Sequence, residues 1–269
     1  MERNARITGW GKYLPNRVVR NEELESVVGV KADWIFSRIG VRERHVAAPE
    51  ETIATMATAA GREALEVGGL AAEDLQLVIV SSTSAGSNLP AQACLVQAML
   101  GAKKAAAFDL ALGCAGFIAA LATGTAFIRS GMFEAVLVVC AETYTRVVDW
   151  GDRNTAILFG DGAGAVLLQA TVEPVGVTSW FLGSDGTSYD LLYLPSVWWQ
   201  STELDLAYVA DSSAKLQMQG YDLYQAGVEA AAGAIEAVAK QEGIALSEID
   251  LVIPHQANAK IIGEVASLL

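Results

Sequence analysis

Apolar runs typical of buried strands alternate along the chain with Ala-rich segments whose apolar positions recur at helical spacing. This alternation predicts an α/β protein. We predict strands at residues 77–81, 105–112, 135–140, 163–169 and 251–253. We predict helices at 55–67, 90–100, 117–130 and 226–241, and a further helix that begins after residue 255.

An internal repeat divides the chain. Residues 69–79 match residues 243–253, with five of eleven positions identical, and each copy follows a helical pattern and leads into a short apolar run. Such self-similarity predicts two related α/β halves, 1–170 and 171–269. The second half has no counterpart of the elements at 99–169, so we expect that it is incomplete and that the natural protein is longer. A naturally short chain is the alternative.

Composition narrows the class of protein. The chain has 269 residues, of which 52% are hydrophobic and 18% charged. It can therefore bury the core of one large domain or of two closely packed halves. A net charge of −13 argues against a nucleic-acid partner. Three scattered cysteines form no disulfide framework, and neither a signal peptide nor a membrane-spanning run is evident. We therefore expect a cytoplasmic location.

The charge is unevenly distributed. Residues 1–62 carry ten Lys and Arg against eight Asp and Glu, a balance of +2 that leaves −15 for the rest. An anionic ligand is therefore expected near the basic cluster formed by Lys31, Arg38, Arg42 and Arg44. A solvated basic loop is the alternative interpretation.

Cys114 is the main candidate for chemistry. It lies in Ala-Leu-Gly-Cys-Ala-Gly-Phe at 111–117, between a predicted strand and a predicted helix. Unpaired N–H groups and the helix dipole at such a position favour the nucleophilic thiolate. The alternative is a buried cysteine that acts as a small hydrophobe, which is our interpretation of Cys94 and Cys140.

The chain has two histidines, which differ in setting. His45 lies in a polar segment and is interpreted as a surface residue. His255 follows the predicted strand 251–253 and precedes a helix, a position where α/β proteins place ligand-binding groups. We predict that Cys114 and His255 meet between the two halves, with a purely structural His255 as the alternative.

Two motifs also fit other classes of protein. The order Cys114 then His255 also fits a papain-like hydrolase, but the aromatic-flanked signature is absent. The run Phe-Gly-Asp-Gly-Ala-Gly at 159–164 precedes a predicted strand and not a helix, so we interpret its glycines as close backbone packing and not as a dinucleotide site. No residue spacing suggests a metal site.

Four motifs together resemble the β-ketoacyl-[acyl-carrier-protein] synthase III family of the thiolase superfamily. They are Cys-Ala-Gly-Phe at 114–117, Pro-His-Gln-Ala-Asn at 254–258, Leu-Phe-Gly-Asp-Gly-Ala-Gly at 158–164, and Asp-Trp-Ile at 33–35 with Arg-His at 44–45. The resemblance implies the thiolase fold, two pseudo-duplicated α/β halves in five layers. It also implies a homodimer and no cofactor apart from the acyl-CoA substrate.

The resemblance implies an acyltransferase that starts fatty-acid synthesis. Cys114 would take an acyl group from acyl-CoA, and malonyl-acyl carrier protein (malonyl-ACP) would then lose CO₂ and attack the acyl-cysteine. His255 would donate a hydrogen bond to the enolate. The family's second donor is an Asn on a later loop, which is not Asn258. A relative that primes polyketide or secondary-metabolite synthesis and a cysteine-dependent acyl-CoA hydrolase remain alternatives.

Further site residues are implied by the same resemblance. Trp34 and Arg153 would sandwich the CoA adenine, Arg38 would lie near the phosphates, and Asn258 would line the pantetheine channel. Met218 and Gly220 correspond to tunnel-wall positions. Leu89 corresponds to a residue that enters the partner subunit's acyl pocket, and Lys260 and Lys215 are candidates for docking the acidic carrier protein.

Overall fold

The computed structural model describes residues 3–195 and 215–269. Its strands are β1 (Asn4–Tyr13), β2 (Arg17–Arg20), β3 (Glu43–Val46), β4 (Leu77–Ser81), β5 (Ala106–Leu110), β6 (Ala135–Thr143), β7 (Asp161–Thr171), β8 (Leu192–Tyr193) and β9 (Gln217–Met218). Its helices are α1 (Asn21–Val28), α2 (Ala32–Ile39), α3 (Ile53–Gly68), α4 (Gln92–Leu100), α5 (Gly116–Arg129), α6 (Arg153–Ala156), α7 (Gly220–Glu242) and α8 (Ala259–Leu268).

A mixed five-stranded sheet in the order β1-β7-β6-β4-β5 organises the first part of the chain. β4 pairs in parallel with β5 and β6, whereas β7 pairs antiparallel with both β6 and β1. All five residues of β4 are buried. A strand covered on both faces needs no polar alternation, which explains the continuous apolar run in the sequence.

Helices cover both faces of this sheet. α3 and α4 pack on one face, where buried residues such as Met56, Val78 and Leu137 form one core cluster. α5 packs on the other face over a second cluster that includes Ile79, Ile128 and Val136. Alternate residues of β4 therefore contribute to different clusters, as the pleat requires.

The sequence repeat has a structural counterpart. The C-terminus of α3 is capped by Gly69 (φ 66°) and that of α7 by Gly243 (φ 68°), both in the left-handed conformation. A 3-10 turn follows each cap, Ala72–Asp74 and Leu246–Glu248 respectively. The copies then differ, because 251–253 forms no strand among the described residues, whereas the equivalent segment is β4. The strand predicted at 251–253 is therefore wrong, because within the described residues no neighbouring strand forms ladder hydrogen bonds with this segment.

The chain packs as two compact units, each formed by several segments. Among the described residues, the first unit comprises 3–18, 45–143 and 160–180, and it holds the five-stranded sheet. The second comprises 19–44, 144–159, 181–195 and 215–269, in which α1 packs on α2 and α7 packs on α8. The division into sequence halves at residue 170 stays a prediction. No helix in the described ranges is long and apolar enough to cross a membrane.

Candidate active site

Cys114 lies where the sheet gives way to α5. β5 ends at Leu110, a 3-10 turn spans Gly113–Ala115, and α5 begins at Gly116. Gly113 has φ 53°, a left-handed conformation that glycine adopts without a Cβ clash. The Cys114 residue is exposed. The turn therefore presents the thiol at the N-terminal end of a 14-residue helix, as the sequence predicted.

Gly116 lets this turn approach the end of β4. A Cβ atom at Gly116 would lie 1.9 Å from the Oγ of Ser81 and 3.0 Å from its Cβ. Any larger residue would therefore displace the start of α5 from the sheet. This contact explains why a glycine follows Cys114 by two positions.

The electrostatic setting of Cys114 differs from the prediction. Desolvation by the surrounding protein raises the pKa of the Cys114 thiol, and the negative charge of Glu142 raises it further. A backbone hydrogen bond at Cys114 lowers the pKa by less. Although the Cys114 residue as a whole is exposed, desolvation outweighs the backbone hydrogen bond, so the position at a helix N-terminus does not by itself lower the pKa of the thiol.

Glu142 has a half-buried carboxylate that the sequence did not point to. Near the end of β6, its carboxylate accepts backbone N–H bonds from Thr83 (3.0 Å) and Ser84 (3.1 Å). The hydroxyls of Ser82, Thr83 and Ser84 also donate to it. Burial nevertheless raises the pKa of Glu142, against the effect of these bonds. An acidic residue at the end of an apolar strand is the signal that could have indicated it.

The other two cysteines and His45 differ in how far they are buried. Burial raises the pKa of Cys140 to about 12, in agreement with an inert structural cysteine. Cys94 is exposed on α4, so its interpretation as a buried residue is wrong. His45 is half-buried in β3, with Nδ1 2.6 Å from the carbonyl oxygen of Pro15, so it is less exposed than the sequence predicted.

Trp34 lies near two arginines in the second unit. The guanidinium carbons of Arg38 and Arg153 are 5.4 Å and 5.8 Å from its ring centroid. Trp34 and Arg38 are on α2 and Arg153 begins α6, so residues 119 positions apart contribute to one cluster. Both arginines are exposed and Trp34 is half-buried, an arrangement that could bind a flat ring and an anion together.

The other members of the predicted basic cluster have different roles. Lys31 forms an ion pair with Glu25 at 2.8 Å, and Arg42 stacks on Phe36 with its guanidinium carbon 3.9 Å from the ring centroid. Arg44 is buried, with 4% of its surface exposed. Of the four predicted cations, Arg44 is thus inaccessible to an anionic ligand, because it lies beneath the surface that it was expected to form.

His255 belongs to the second unit and Cys114 to the first, so their pairing stays a prediction. Desolvation by neighbouring protein atoms lowers the pKa of His255, although the residue as a whole is exposed. Three residues later, Asn258 caps α8, with its Oδ1 accepting from the backbone N–H of Ile261 at 2.9 Å. Lys260 is exposed in the first turn of that helix. This short segment therefore carries three of the predicted site residues.

The other predicted positions occupy separate places. Leu89 is 88% exposed in the segment between β4 and α4. Met218 is in β9 and Gly220 begins α7, with Lys215 just before β9 and half-buried. Their roles stay predictions. Within the described ranges, no group of three or more His, Cys, Asp or Glu side chains could hold a metal ion.

The glycine-rich run at 159–164 leads into β7, as predicted, and not into a helix. A Cβ at Gly162 would lie 3.3 Å from Leu14, whereas at Gly164 no atom lies within 4 Å. Close packing therefore explains Gly162 and not Gly164, whose Cβ would enter open space.

Comparisons with known proteins agree with this geometry. The profile of the family described as 3-oxoacyl-[acyl-carrier-protein (ACP)] synthase III matches residues 108–186, which include Cys114. A β-ketoacyl-[acyl-carrier-protein] synthase III from Methylococcus capsulatus is 41% identical over 269 residues, 100% of this chain and 82% of the relative. One from Roseiflexus is 42% identical over 272 residues, with the same coverage of both chains.

Solved structures give the same result. The 3-oxoacyl-[acyl-carrier-protein] synthase III of Aquifex aeolicus superimposes with a TM-score of 0.89 at 38% identity, over 98% of this chain and 80% of that one. The priming β-ketosynthase of the R1128 polyketide pathway gives 0.92 at 34% identity, over 99% and 78%. The sheet and the cysteine turn thus define an acyltransferase of thiolase-like fold. Within that class, the chain belongs to the β-ketoacyl-[acyl-carrier-protein] synthase III family.

Proposed function

We propose that this protein starts fatty-acid synthesis by condensing a short acyl-CoA, such as acetyl-CoA, with malonyl-ACP to give 3-oxoacyl-ACP. The observation that carries the proposal is the exposed Cys114 thiol in the turn into α5, in a chain of this family. The proposed site also includes His255, and it uses no cofactor beyond the substrate.

Acyl transfer comes first. The Cys114 sulfur attacks the thioester carbonyl, the bond from that carbonyl to the CoA sulfur breaks, and the thiol proton ends on the departing CoA. Because the pKa of Cys114 is raised, the resting sulfur carries its proton at neutral pH. The N–H groups at the start of α5 are suitable donors to the oxyanion of the tetrahedral intermediate.

The Trp34 cluster supports CoA as the acyl donor. An adenine ring can stack on the indole of Trp34, beside the guanidinium of Arg153. Arg38, 5.4 Å from the same ring, can pair with a phosphate. Asn258, Met218 and Gly220 are proposed along the channel for the pantetheine arm.

Condensation follows at the acyl-cysteine. Malonyl-ACP loses CO₂, and the electron pair of the broken C–C bond forms an enolate that attacks the acyl carbonyl and expels the Cys114 sulfur. The lowered pKa of His255 favours a neutral imidazole at neutral pH, which can donate one N–H to the enolate oxygen.

The proposal includes its partners. Lys260, and less directly Lys215, would bind the acidic carrier protein against the repulsion expected from a chain of net charge −13. The exposed Leu89 fits a role in the acyl pocket of a partner subunit, and we propose a cytoplasmic homodimer.

Intact-protein mass spectrometry tests the acyl-transfer step. Mixing with acetyl-CoA should add one acetyl group to the wild type and none to Cys114→Ala, and malonyl-ACP should then remove that group as 3-oxoacyl-ACP. A wild type that gains no mass would refute the assignment of Cys114. Release of free acetate without malonyl-ACP would instead indicate a cysteine-dependent hydrolase.

A second candidate function is priming of polyketide synthesis. It is favoured by the similarity to the priming β-ketosynthase, which superimposes with a TM-score of 0.92. The two candidates share the chemistry and differ in the acyl group and the carrier protein. Competition among acyl-CoA donors of increasing length, in the wild type and in Leu89→Phe, separates the two candidate functions. A preference for acetyl-CoA supports fatty-acid synthesis, and a preference for a longer donor supports priming of polyketide synthesis.

A further inference from the structure

Arg44 is a buried cation without a carboxylate partner among the described residues. Its Nη1 donates to the carbonyl of Val19 at 3.1 Å, and its Nη2 donates to Oδ1 of Asn21 at 2.8 Å and to the carbonyl of Ile157 at 3.0 Å. Its Nε has no hydrogen-bond partner within the described ranges. A buried charge that is only partly satisfied is costly to folding, so its presence calls for an explanation.

The bonds of Arg44 join two segments that are far apart in sequence. Asn21 begins α1, and Ile157 directly follows α6, the helix that begins with Arg153. Arg44 itself is in β3. One guanidinium thus fixes α6 relative to the start of α1.

A second set of bonds extends this connection to Trp34. Glu25 of α1 accepts from the backbone N–H of Ala32 at 2.9 Å and from Nζ of Lys31 at 2.8 Å. These two donors belong to the start of α2, the helix that carries Trp34. Asn21 also donates from Nδ2 to the carbonyl of Val41, just after α2, at 2.7 Å. The position of α2 is therefore coupled to that of α1 at both ends.

We infer that Arg44 is a positioning residue for nucleotide recognition: it holds Arg153 of α6 against Trp34 of α2 and does not contact the ligand. This inference rests on the proposed function, in which that pair binds the adenine of CoA. A lysine at position 44 would keep the charge and lose the planar fork that reaches three acceptors at once. The distance between Trp34 and Arg153 would then no longer be fixed.

The test compares binding of a nucleotide with reaction of a donor that lacks one. Adenosine 3′,5′-bisphosphate, the nucleotide portion of CoA, is titrated calorimetrically into the wild type and Arg44→Lys. We expect the Kd to rise about tenfold in the variant. Acetylation of Cys114 by acetyl-N-acetylcysteamine, which has no nucleotide, should keep its wild-type rate.

A matched control and a second variant keep the test decisive. Arg129→Lys also alters an arginine that bonds two backbone carbonyls, those of Val177 and Thr178, and has a buried Nε without a partner among the described residues. It should leave the nucleotide Kd unchanged. Asn21→Ala, which removes one acceptor of Arg44, should raise the Kd in the same direction if Arg44→Lys does not fold.

Each outcome has one meaning. Weaker nucleotide binding with unchanged acetylation by the short donor supports the inference. An unchanged Kd in both the Arg44→Lys and the Asn21→Ala variants overturns the inference and leaves the proposed function standing. An equal loss of nucleotide affinity and of the rate of acetylation by acetyl-N-acetylcysteamine has the same meaning. A wild type that binds no nucleotide overturns both.

Discussion

Gly116 lies against the hydroxyl of Ser81 so closely that a methyl group at position 116 would be 1.9 Å from that oxygen. Ser81 ends β4 and is buried, so it cannot turn away into solvent. The start of α5, and with it the Cys114 turn, is thereby fixed by the end of a central strand.

Gly116→Ala should damage both stability and reactivity. Overpacking at this contact should lower the free energy of unfolding by about 1–3 kcal/mol. The displaced turn should also slow acetylation of Cys114 by acetyl-CoA. Urea denaturation and intact mass measure the two effects. Gly164→Ala is the control, because a Cβ there meets no atom within 4 Å; equal effects of both variants would contradict the packing argument.

The reactivity of Cys114 should depend on the charge of Glu142. Desolvation and the negative Glu142 both favour the neutral thiol, so alkylation should accelerate as the pH rises through the raised pKa. Glu142→Gln removes the charge and should move that midpoint to lower pH. Peptide-resolved labelling with iodoacetamide measures it, which also separates Cys114 from the exposed Cys94.

Two variants control for the other effects of that change. Glu66→Gln removes an exposed carboxylate of α3 and should leave the midpoint at the wild-type value. Glu142→Asp keeps the negative charge but disturbs the hydrogen bonds to residues 82–84. It therefore shows how much of any change in the midpoint comes from those bonds and not from the charge. A midpoint that stays constant in Glu142→Gln would show that desolvation alone sets the pKa.

Trp34→Ala should weaken the use of acetyl-CoA specifically. Loss of one base-stacking surface should raise the KM for acetyl-CoA about tenfold. The rate with acetyl-N-acetylcysteamine should not change, because that donor has no adenine. Trp10→Ala, which removes a tryptophan 63% exposed on β1, is the control. An equal effect on both donors would argue that Trp34 supports the fold and not the nucleotide.

His255→Ala should separate the two half-reactions. Acetylation of Cys114 should persist, while decarboxylation of malonyl-ACP should fall about 10²–10³-fold, the cost of losing an oxyanion donor. In the wild type, desolvation lowers the pKa of His255 below 6.5, its ordinary value, so decarboxylation should show no change from titration of this imidazole above that pH. Release of CO₂ measures both, and His45→Ala should behave as the wild type.

Lys260→Glu should affect the carrier protein and not CoA. Reversing this exposed charge should raise the KM for malonyl-ACP severalfold, because docking of an acidic partner depends on local cations. Acetylation of Cys114 by acetyl-CoA should be unaffected. Lys240→Glu, in the last turn of α7, is the matched control. A similar change in both half-reactions would reject Lys260 as a docking residue.

The sequence predicted the central strands well, and for a physical reason. β4 has the predicted bounds, Leu77–Ser81, because a strand buried on both faces is a short uninterrupted apolar run. β1 was missed: Asn4–Tyr13 is an edge strand that contains glycines and cations, and it is stabilised by pairing with β7, about 160 residues away. Such long-range pairing leaves no local periodic signal.

The candidate site was predicted to a similar extent. The local pattern was enough to predict that Cys114 lies at the start of a helix, whereas Trp34, Arg38 and Arg153 were implied only by the family resemblance. The direction of the Cys114 pKa shift could not be predicted, because it depends on desolvation and on Glu142, which is 28 residues away in sequence. The burial of Arg44 was missed for the same reason, as cations in a loop-like segment usually face solvent.

The connection between β6 and β7 has an evolutionary consequence. Thr143 and Asp161 are paired across the sheet, so the segment that carries Arg153 departs from and returns to adjacent positions of one antiparallel ladder. Insertions, deletions or complete exchange of that segment between homologues would leave the ladder closed at its base. If Arg153 binds the acyl donor as proposed, exchange of this segment would alter donor preference without breaking the ladder of the central sheet.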